Sequence, residues 1–210
     1  MNIRVALRIV LVLLPAALAC SLFSQAMQPA QAPSSVAPQS FPTTAAGEAT
    51  KPLRQWAADA QASSEWGTSD WTAGQATGQP NTAECGDFGT AWAASGQSTV
   101  EWINLYFTTP VYPTELLITQ TYNPDQVVQV DLIDMQGQFV TVYTGQPRKM
   151  DSPCPYVLTI PVSRSDILAQ GVRITIDQSV LGLGWNEIDA VEIIGLPGEG
   201  VPVRPTSPVP

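Results

Sequence analysis

Two carboxylates near the C-terminus, Glu187 and Asp189, are the pair of side chains best spaced for acid–base chemistry in this sequence. They stand two residues apart in a strand-like run, so they share one face and lie about 7 Å apart. Retaining glycosidases need about that spacing or less, but their pair sits in a deep cleft that a small β-domain rarely builds. The sequence also contains no histidine, which excludes Ser-His-Asp and Cys-His catalysis. We therefore predict that the protein is not an enzyme.

A second group of side chains is suited to binding rather than to catalysis. Sugar rings present C–H faces that pack on Trp and Tyr, while amides and carboxylates bind hydroxyls. An alternative role for these side chains is structural, with the rings packed over the end of the domain and Glu187 and Asp189 satisfying loop amides. Trp92 and Trp102 are expected in the core instead. The candidate ligand-binding residues are Tyr122, Asn123, Trp185, Asn186 and Glu187.

The composition limits the partners that the protein can have. Hydrophobic residues make up 44% of the 210 residues, which is enough for a core, and the net charge is -9. An acidic surface repels phosphate backbones, so nucleic acid is not an expected partner. Without imidazole, a bound metal would need oxygen ligands, which points to calcium.

Alternating apolar and polar residues predict the elements that position these side chains. Val172, Ile174 and Ile176 alternate with Arg173 and Thr175, as in a strand with one buried face. Several such runs, separated by turn sequences, predict an all-β sandwich. The predicted strands cover 101–107, 116–121, 128–132, 140–143, 156–162, 172–176 and 188–194.

Counting these strands also places the loops. If consecutive strands run antiparallel, loops 122–126, 145–155 and 177–187 meet at one end, together with the segment that leads into residue 100. That end then holds the predicted binding rim. Loops 108–114, 135–138 and 163–171 fall at the opposite end.

The N-terminus carries the features of an export signal. Arg4 and Arg8 precede a short apolar stretch, and small residues at Ala17 and Ala19 are followed by Cys20. The run Ala-Leu-Ala-Cys resembles a bacterial lipobox, which implies cleavage before Cys20 and acylation of its sulfur. The expected location is therefore outside the cytoplasm, on a bacterial membrane held by lipid. The alternatives are plain secretion after Ala19, or an uncleaved N-terminal anchor.

Low-complexity segments flank the predicted domain. Residues rich in Ala, Gln, Pro, Ser and Thr cannot bury enough apolar area to offset the entropy of ordering. The predicted organisation is a lipoprotein-type signal peptide at 1–19, a disordered tether at 20–55, the β-sandwich at 56–196 and a Pro-rich tail at 197–210.

The three cysteines also bear on anchoring. An odd number in an exported protein leaves one thiol to explain. If Cys20 carries lipid, Cys85 and Cys154 remain as a pair, and an oxidising compartment favours their disulfide. Such a bond would stabilise the fold by roughly 4 kcal/mol on the chain-entropy model. The alternative is two free, buried thiols.

Several ordered motifs carry a family resemblance. The sequences at 62–67, 76–81 and 90–92 resemble the opening of discoidin-like, galactose-binding-like jelly rolls. The later motifs are similar to the scarf domain of pappalysins and to the β-sandwich of a mitochondrial F-box, leucine-rich-repeat protein; they lie at 102–107, 110–114, 121–124 and 186–191. The resemblance covers residues 56–196 and implies a galactose-binding-like jelly-roll sandwich. The resemblance says little about function, because modules of this fold occur as accessory or interaction domains in unrelated proteins.

The resemblance also implies a possible cofactor. Many discoidin-like relatives hold a calcium ion near the N-terminal loop, and Asn81, Glu187 and Glu192 are the positions here that could bind it. This sequence has fewer acidic residues near the N-terminal loop than those relatives have. The alternative is that these three side chains are hydrogen-bonded structural groups that bind no metal. No other cofactor is expected.

Two functions remain open. The first is a surface-anchored, non-catalytic recognition module that binds a glycan or another extracellular ligand through loops at one end of the sandwich. The second is a structural or interaction module that docks a partner protein without any small-molecule ligand.

Overall fold

The computed structural model describes residues 51–164 and 166–198, which form eight strands and one short 3-10 helix at Ala73–Ala76. The signal peptide, Cys20, most of the tether and most of the tail lie outside these residues. In the part that is described, no helix is long and apolar enough to cross a membrane. The strands are β1 (Leu53–Trp56), β2 (Asp59–Ala62), β3 (Val100–Tyr122), β4 (Val127–Asp134), β5 (Phe139–Thr144), β6 (Tyr156–Pro161), β7 (Ala169–Asp177) and β8 (Glu187–Pro197).

The long strand β3 joins the two layers of the sandwich. Its first part pairs antiparallel with β7 and β2, and its second part pairs antiparallel with β8 and β6. The first layer therefore has the order β2-β3-β7-β4-β5, and the second has the order β1-β8-β3-β6. The predicted all-β sandwich is confirmed.

The predicted loop at 108–114 is wrong, because this stretch is part of β3. The register of β3 against β7 shifts between Tyr106 and Val111, and its register against β8 shifts after Pro113. Proline cannot donate to a ladder hydrogen bond, but an irregularity in the register absorbs the missing donor and bends the strand. The prolines therefore mark a corner where β3 leaves one layer for the other.

Two short strands at the start of the domain were missed. β1 begins at Leu53, before the predicted domain boundary at 56, and pairs with β8 from Leu53–Gly195 to Trp56–Glu192. The Arg54 guanidinium binds the Glu192 carboxylate through two hydrogen bonds of 2.9 and 2.7 Å. Backbone pairing and this ion pair, rather than apolar alternation, define β1.

The core lies between the two layers. The alternating apolar residues of β3 and β7, such as Ile103, Leu105 and Ile174, are 0% exposed, and burying each such side chain contributes about 1.5–3 kcal/mol. Trp92 is also 0% exposed, as expected. Its backbone exchanges hydrogen bonds of 2.8 and 3.1 Å with Ile188, which fixes segment 86–93 against the start of β8.

Trp102 is not in the core, contrary to expectation. It lies in β3 next to the buried Ile103, so alternation turns its ring to the outer face of the first layer. The guanidinium carbon of Arg173 lies 4.1 Å from the ring centroid of Trp102 and 4.1 Å from that of Phe139. We call Trp102, Arg173 and Phe139 the sheet-face stack.

Candidate functional site

The loops predicted to share one end of the sandwich do meet. Asn123 Nδ2 donates to the Leu183 carbonyl at 2.9 Å, and the Arg148 N–H donates to the Asp125 carbonyl at 2.9 Å. Arg148 Nε also binds the Asp125 carboxylate at 2.7 Å. Loops 122–126, 145–155 and 177–187 are therefore held together by specific contacts.

The predicted disulfide is confirmed at this same end. Cys85 and Cys154 are bonded, with Cα atoms 5.4 Å apart and a sequence separation of 69 residues. The Gly86 N–H donates to the Thr121 carbonyl at 3.0 Å beside the bond. Gly86 thus ties the start of segment 86–93 to β3, and the preceding Cys85 ties it to loop 145–155.

A small pocket of about 70 Å³ lies at this end, and we call it the tryptophan pocket. Three indole rings form most of its wall. The centroids of Trp66 and Trp71 are 5.1 Å apart at an interplanar angle of 62°, and those of Trp66 and Trp185 are 6.3 Å apart at 86°. Such edge-to-face contacts are the favoured geometry for aromatic pairs. The lining residues are Trp66, Trp71, Asp87, Ala93, Trp185 and Glu187.

Backbone hydrogen bonds position two of the three indoles. The Trp66 N–H donates to the Ala93 carbonyl at 2.9 Å, and the Trp71 N–H donates to the Gly89 carbonyl at 3.0 Å. A Cβ at Gly89 would lie only 2.7 Å from the Cβ of Asp70, so this close approach requires glycine. The loop that carries both tryptophans is therefore clamped onto segment 86–93.

Trp71 has an unusual backbone conformation. Its φ of 54° falls in the left-handed region, which costs a bulky residue on the order of 1–3 kcal/mol. Its indole Nε1 lies within hydrogen-bonding distance of Asp87 Oδ1 at 3.1 Å and Glu187 Oε1 at 3.2 Å. These contacts hold the ring in the pocket wall, and strained residues of this kind concentrate at functional sites.

Glu187 forms the base of the pocket and is 1% exposed. Its second oxygen accepts the Phe88 N–H at 3.2 Å. Burial raises the pKa of Glu187 to about 8, against the opposing effect of the Phe88 N–H, and the neighbouring Asp87 carboxylate adds to the increase. Glu187 is therefore largely protonated at neutral pH, while the exposed Asp87 supplies negative charge at the rim.

Asp189, the other member of the predicted carboxylate pair, has a different environment. It is 1% exposed and accepts hydrogen bonds from Thr82 Oγ1 at 2.9 Å and from the Thr82 N–H at 3.4 Å. Burial raises the pKa of Asp189 as well. Because Asp189 holds a loop and does not line the tryptophan pocket, the two carboxyls do not face a common cleft.

The predicted binding rim is only partly brought together. Trp185 and Glu187 line the tryptophan pocket. Tyr122 and Asn123 instead line a neighbouring shallow depression of about 240 Å³ beside the disulfide. Asn186 is 0% exposed, so it is not open to a ligand in this structure.

The two asparagines of the predicted rim hold loops. Asn186 Nδ2 donates to Gln120 Oε1 at 3.0 Å and to the Asn123 carbonyl at 3.1 Å. Asn123 Nδ2 donates in turn to the Trp185 carbonyl at 3.0 Å. Both amides therefore fix the backbone that carries Trp185, a structural role that the sequence did not predict for the asparagines.

The sequence reasoning missed Trp66, Trp71 and Asp87. Trp66 was noted only within the motif at 62–67 that indicated the fold. These residues precede the first predicted strand, where the sequence has no alternating pattern. Strand counting therefore could not place them at the same end as Trp185. The six tryptophans of the chain, two of them close together at 66 and 71, were the available signal.

The residues implied for calcium do not come together. Glu187 and Glu192 are five positions apart on β8, which separates their Cα atoms by roughly 16 Å. Glu192 is bound by Arg54, and Asn81 lies on an exposed loop beside Thr82. These three residues cannot share one ion. Within 51–164 and 166–198, no group of three or more His, Cys, Asp or Glu side chains could hold a metal.

Comparison with known proteins places this fold. Two of the similar solved structures are chitosan-binding module 1 of a chitosanase/glucanase from Paenibacillus sp. IK-5 and a selenomethionine-labelled mutant of the same module. The first is 16% identical, with a TM-score of 0.50, over 65% of this chain and 92% of that chain. The second is 18% identical, with a TM-score of 0.51, over 67% of this chain and 99% of that chain. The predicted galactose-binding-like jelly roll is confirmed.

The family is shown by sequence. No curated protein sequence is significantly similar to this chain. Residues 45–203, however, match the family of the C-terminal SD scarf domain of pappalysin-1, in agreement with the predicted resemblance. The chain belongs to the pappalysin-1 SD scarf domain family.

Proposed function

We propose that this protein is a non-catalytic carbohydrate-recognition module whose ligand binds at the tryptophan pocket. The observation that carries the proposal is the set of three indoles, Trp66, Trp71 and Trp185, around one pocket at the loop end. Trp66 is 53% exposed, so its ring is open to the C–H face of a sugar. The chitosan-binding descriptions of the two similar structures support a carbohydrate ligand.

The environments of the carboxyls support binding rather than catalysis. Asp189 is committed to Thr82, and Glu187 is enclosed by Trp71, Phe88 and Asp87. A glycosidase needs two carboxyl groups on either side of the scissile bond, and the pair predicted here does not flank one space.

A glycan array followed by affinity gel electrophoresis tests the proposal. We expect Trp66→Ala to weaken binding at least tenfold without unfolding, because this exposed ring has little role in the core. Trp102→Ala is the matched control, since it removes an indole from the sheet-face stack, and it should leave binding unchanged. Absence of binding to any glycan, or equal loss in both variants, would overturn the proposal.

The second part of the proposal is anchoring through a lipid on Cys20. The lipobox-like sequence and the remaining Cys85–Cys154 pair support it. Buried acyl chains contribute about 0.8 kcal/mol per methylene, so several chains hold a protein on a membrane stably. The module would then face the extracytoplasmic space on its tether, and secretion without lipid is the alternative.

Mass spectrometry of the purified mature protein tests anchoring. We expect a chain that begins at Cys20 and carries the mass of acyl groups. An unmodified Cys20 thiol or a retained signal peptide would contradict the anchor.

One observation favours docking of a partner protein as a second candidate function. Phe139 in the sheet-face stack is 47% exposed, and exposed aromatics beside arginine are enriched in protein interfaces. Under this alternative, Phe139→Asp abolishes a pull-down that Trp66→Ala leaves intact. The opposite pattern supports the pocket.

A further inference from the structure

The tryptophan pocket combines aromatic walls with acidic groups and lacks a basic side chain. Of the six residues that line it, three are tryptophans and two are the acids Asp87 and Glu187. The faces of indole rings attract cations, most strongly where water is excluded. The pocket therefore has the two features that recognise a positively charged group.

No basic side chain forms an ion pair with the acids of the pocket in the described structure. The ion pairs within 51–164 and 166–198 use other acids, and none includes Asp87 or Glu187: they are Arg54–Glu192, Arg148–Asp125, Lys149–Asp151 and Arg164–Asp166. Asp87 Oδ1 accepts a hydrogen bond from the Trp71 indole N–H at 3.1 Å, and the Asp87 carboxylate also interacts with the carboxyl group of Glu187. The negative charge at the rim thus remains available to a ligand.

We infer that the tryptophan pocket selects a positively charged amino sugar over a neutral or acidic one, with Asp87 and the indoles binding the ammonium group. This inference rests on the proposed carbohydrate-binding function and names the ligand class of the same site. The pocket is small, with a volume of about 70 Å³. It suits an ammonium group and its carbon, with the sugar ring stacked on the exposed Trp66.

The chemistry of the pocket disfavours the other sugar classes. A neutral sugar places an uncharged hydroxyl where the indole faces and the Asp87 carboxylate favour a positive charge, so it gains less there than an ammonium group does. An acidic sugar would bring its carboxylate next to Asp87, where like charges repel. Of these three kinds of group, only a cation is attracted both by the indole faces and by the Asp87 carboxylate.

Proton release should accompany binding of the cation. Glu187 faces Asp87, the Trp71 indole and the Phe88 N–H, and its pKa is raised to about 8. A cation in the pocket favours the ionised form of Glu187, so affinity rises with pH up to about 8 and then levels off. The rise cannot exceed about tenfold per pH unit for a single proton.

Isothermal titration calorimetry of the full-length mature protein tests this selectivity. The probes are oligomers of glucosamine and matched, fully N-acetylated oligomers at pH 6, where the amines are charged. We expect at least tenfold tighter binding of the amine form, and we expect Asp87→Asn to abolish that preference. Asp151→Asn is the matched control, because its side chain is 80% exposed at the same end but lies outside the pocket.

The pH dependence needs a ligand whose charge does not titrate, so oligomers whose amines are converted to flat guanidinium groups, which keep N–H donors, serve as the probe. Affinity for this probe should rise from pH 6 to pH 8 in the wild type and stay flat in Glu187→Gln. A flat profile in the wild type would contradict the role of Glu187.

The outcomes separate the inference from the proposed function. Equal or tighter binding of the acetylated oligomers, or binding of other neutral sugars alone, overturns the inference and leaves carbohydrate binding standing. An equal effect of Asp87→Asn and Asp151→Asn shows general charge attraction and also overturns it. Absence of binding to every glycan overturns the proposed function itself.

Discussion

The molecule has two clusters of aromatic residues, and they differ in where their positive charge comes from. In the sheet-face stack, Arg173 lies 4.1 Å from the ring centroids of both Trp102 and Phe139. In the tryptophan pocket, three indoles and two acids converge without any basic residue in the lining. One cluster contains its own cation, whereas in the other, as we propose, a ligand supplies it.

The backbone beneath each cluster explains the difference. The stack stands on paired strands, where Arg173 of β7 is opposite Asn104 of β3 and donates to its side-chain oxygen at 2.7 Å. The pocket stands on loops that hydrogen bonds and a disulfide hold in place, and these contacts keep Trp71 in a strained conformation. The sheet-face stack lies on paired strands and has its cation in place without a ligand. Loops held in a constrained conformation, such as those of the tryptophan pocket, are typical of binding sites.

The largest expected difference between the two regions is in pH dependence. Because Glu187 has a pKa near 8 in the folded state against 4.5 as its ordinary value, stability falls as pH rises from about 4.5 to 8. The loss is on the order of 5 kcal/mol, and Asp189, whose pKa is also raised, acts in the same direction. Urea unfolding at several pH values measures it.

Glu187→Gln isolates this effect, since the amide cannot ionise. The stability of the variant relative to the wild type should increase between pH 5 and 8 and stay constant above that range. Arg173→Met in the stack should leave the shape of the pH profile unchanged. Parallel profiles for Glu187→Gln and the wild type would contradict the buried, protonated state of Glu187.

The second-largest effect on stability is expected from the Cys85–Cys154 disulfide at the loop end. Replacing Cys85 and Cys154 together by Ser should lower the free energy of unfolding by about 3–4 kcal/mol, because the bond closes a loop of 69 residues. Chemical denaturation under oxidising conditions measures the change, and reduction of the wild type should reproduce it. A loss below about 1 kcal/mol would show that hydrogen bonds alone hold this end.

A smaller effect is expected in the sheet-face stack. Arg173→Met should cost about 2 kcal/mol, since both rings lose their cation and the 4%-exposed Asn104 loses a charged donor. Arg173→Lys should cost less, because it keeps the charge but not the planar group. Arg164→Met, at an exposed ion pair, is the control and should be nearly neutral.

The stack variant must also leave ligand binding intact. We expect unchanged affinity of Arg173→Met for any glycan that the wild type binds. A loss of affinity that is not explained by unfolding would place the ligand on the sheet face and would break the comparison.

The smallest expected effect is that of Trp66→Ala on stability. This ring is 53% exposed and packs mainly through its edge-to-face contacts with Trp71 and Trp185, so its removal should change the free energy of unfolding by no more than about 1 kcal/mol. Thermal unfolding, compared with Trp102→Ala, measures it. A larger loss in Trp66→Ala than in Trp102→Ala would give Trp66 a structural role instead of a binding role.

The sequence predicted the fold well wherever apolar alternation was strong. Residues 172–176 and 128–132 lie in β7 and β4 as expected. The missed strand β1 carries little alternation and is defined by pairing with β8 and by the Arg54–Glu192 ion pair. The corner in β3 was missed because prolines, read as turn signals, can also occupy bulges in a strand.

The site was predicted only in part, for a different reason. Loop counting correctly placed Trp185 and Glu187 at the end that contains the disulfide. Trp66, Trp71 and Asp87 reach the same place through contacts with segment 86–93, and no short-range pattern encodes such contacts. Asn186 looked like a ligand-binding residue, but its amide nitrogen supports loops instead.

The central claim is that the ligand occupies the tryptophan pocket and not the sheet face. The indole N–H signals of the six tryptophans, observed in a ¹H–¹⁵N NMR titration with a bound oligosaccharide, test it most directly. The account predicts shifts for Trp66, Trp71 and Trp185, with the signals of Trp56 and Trp102 unmoved. A shift of Trp102 with the three pocket signals unchanged would contradict it.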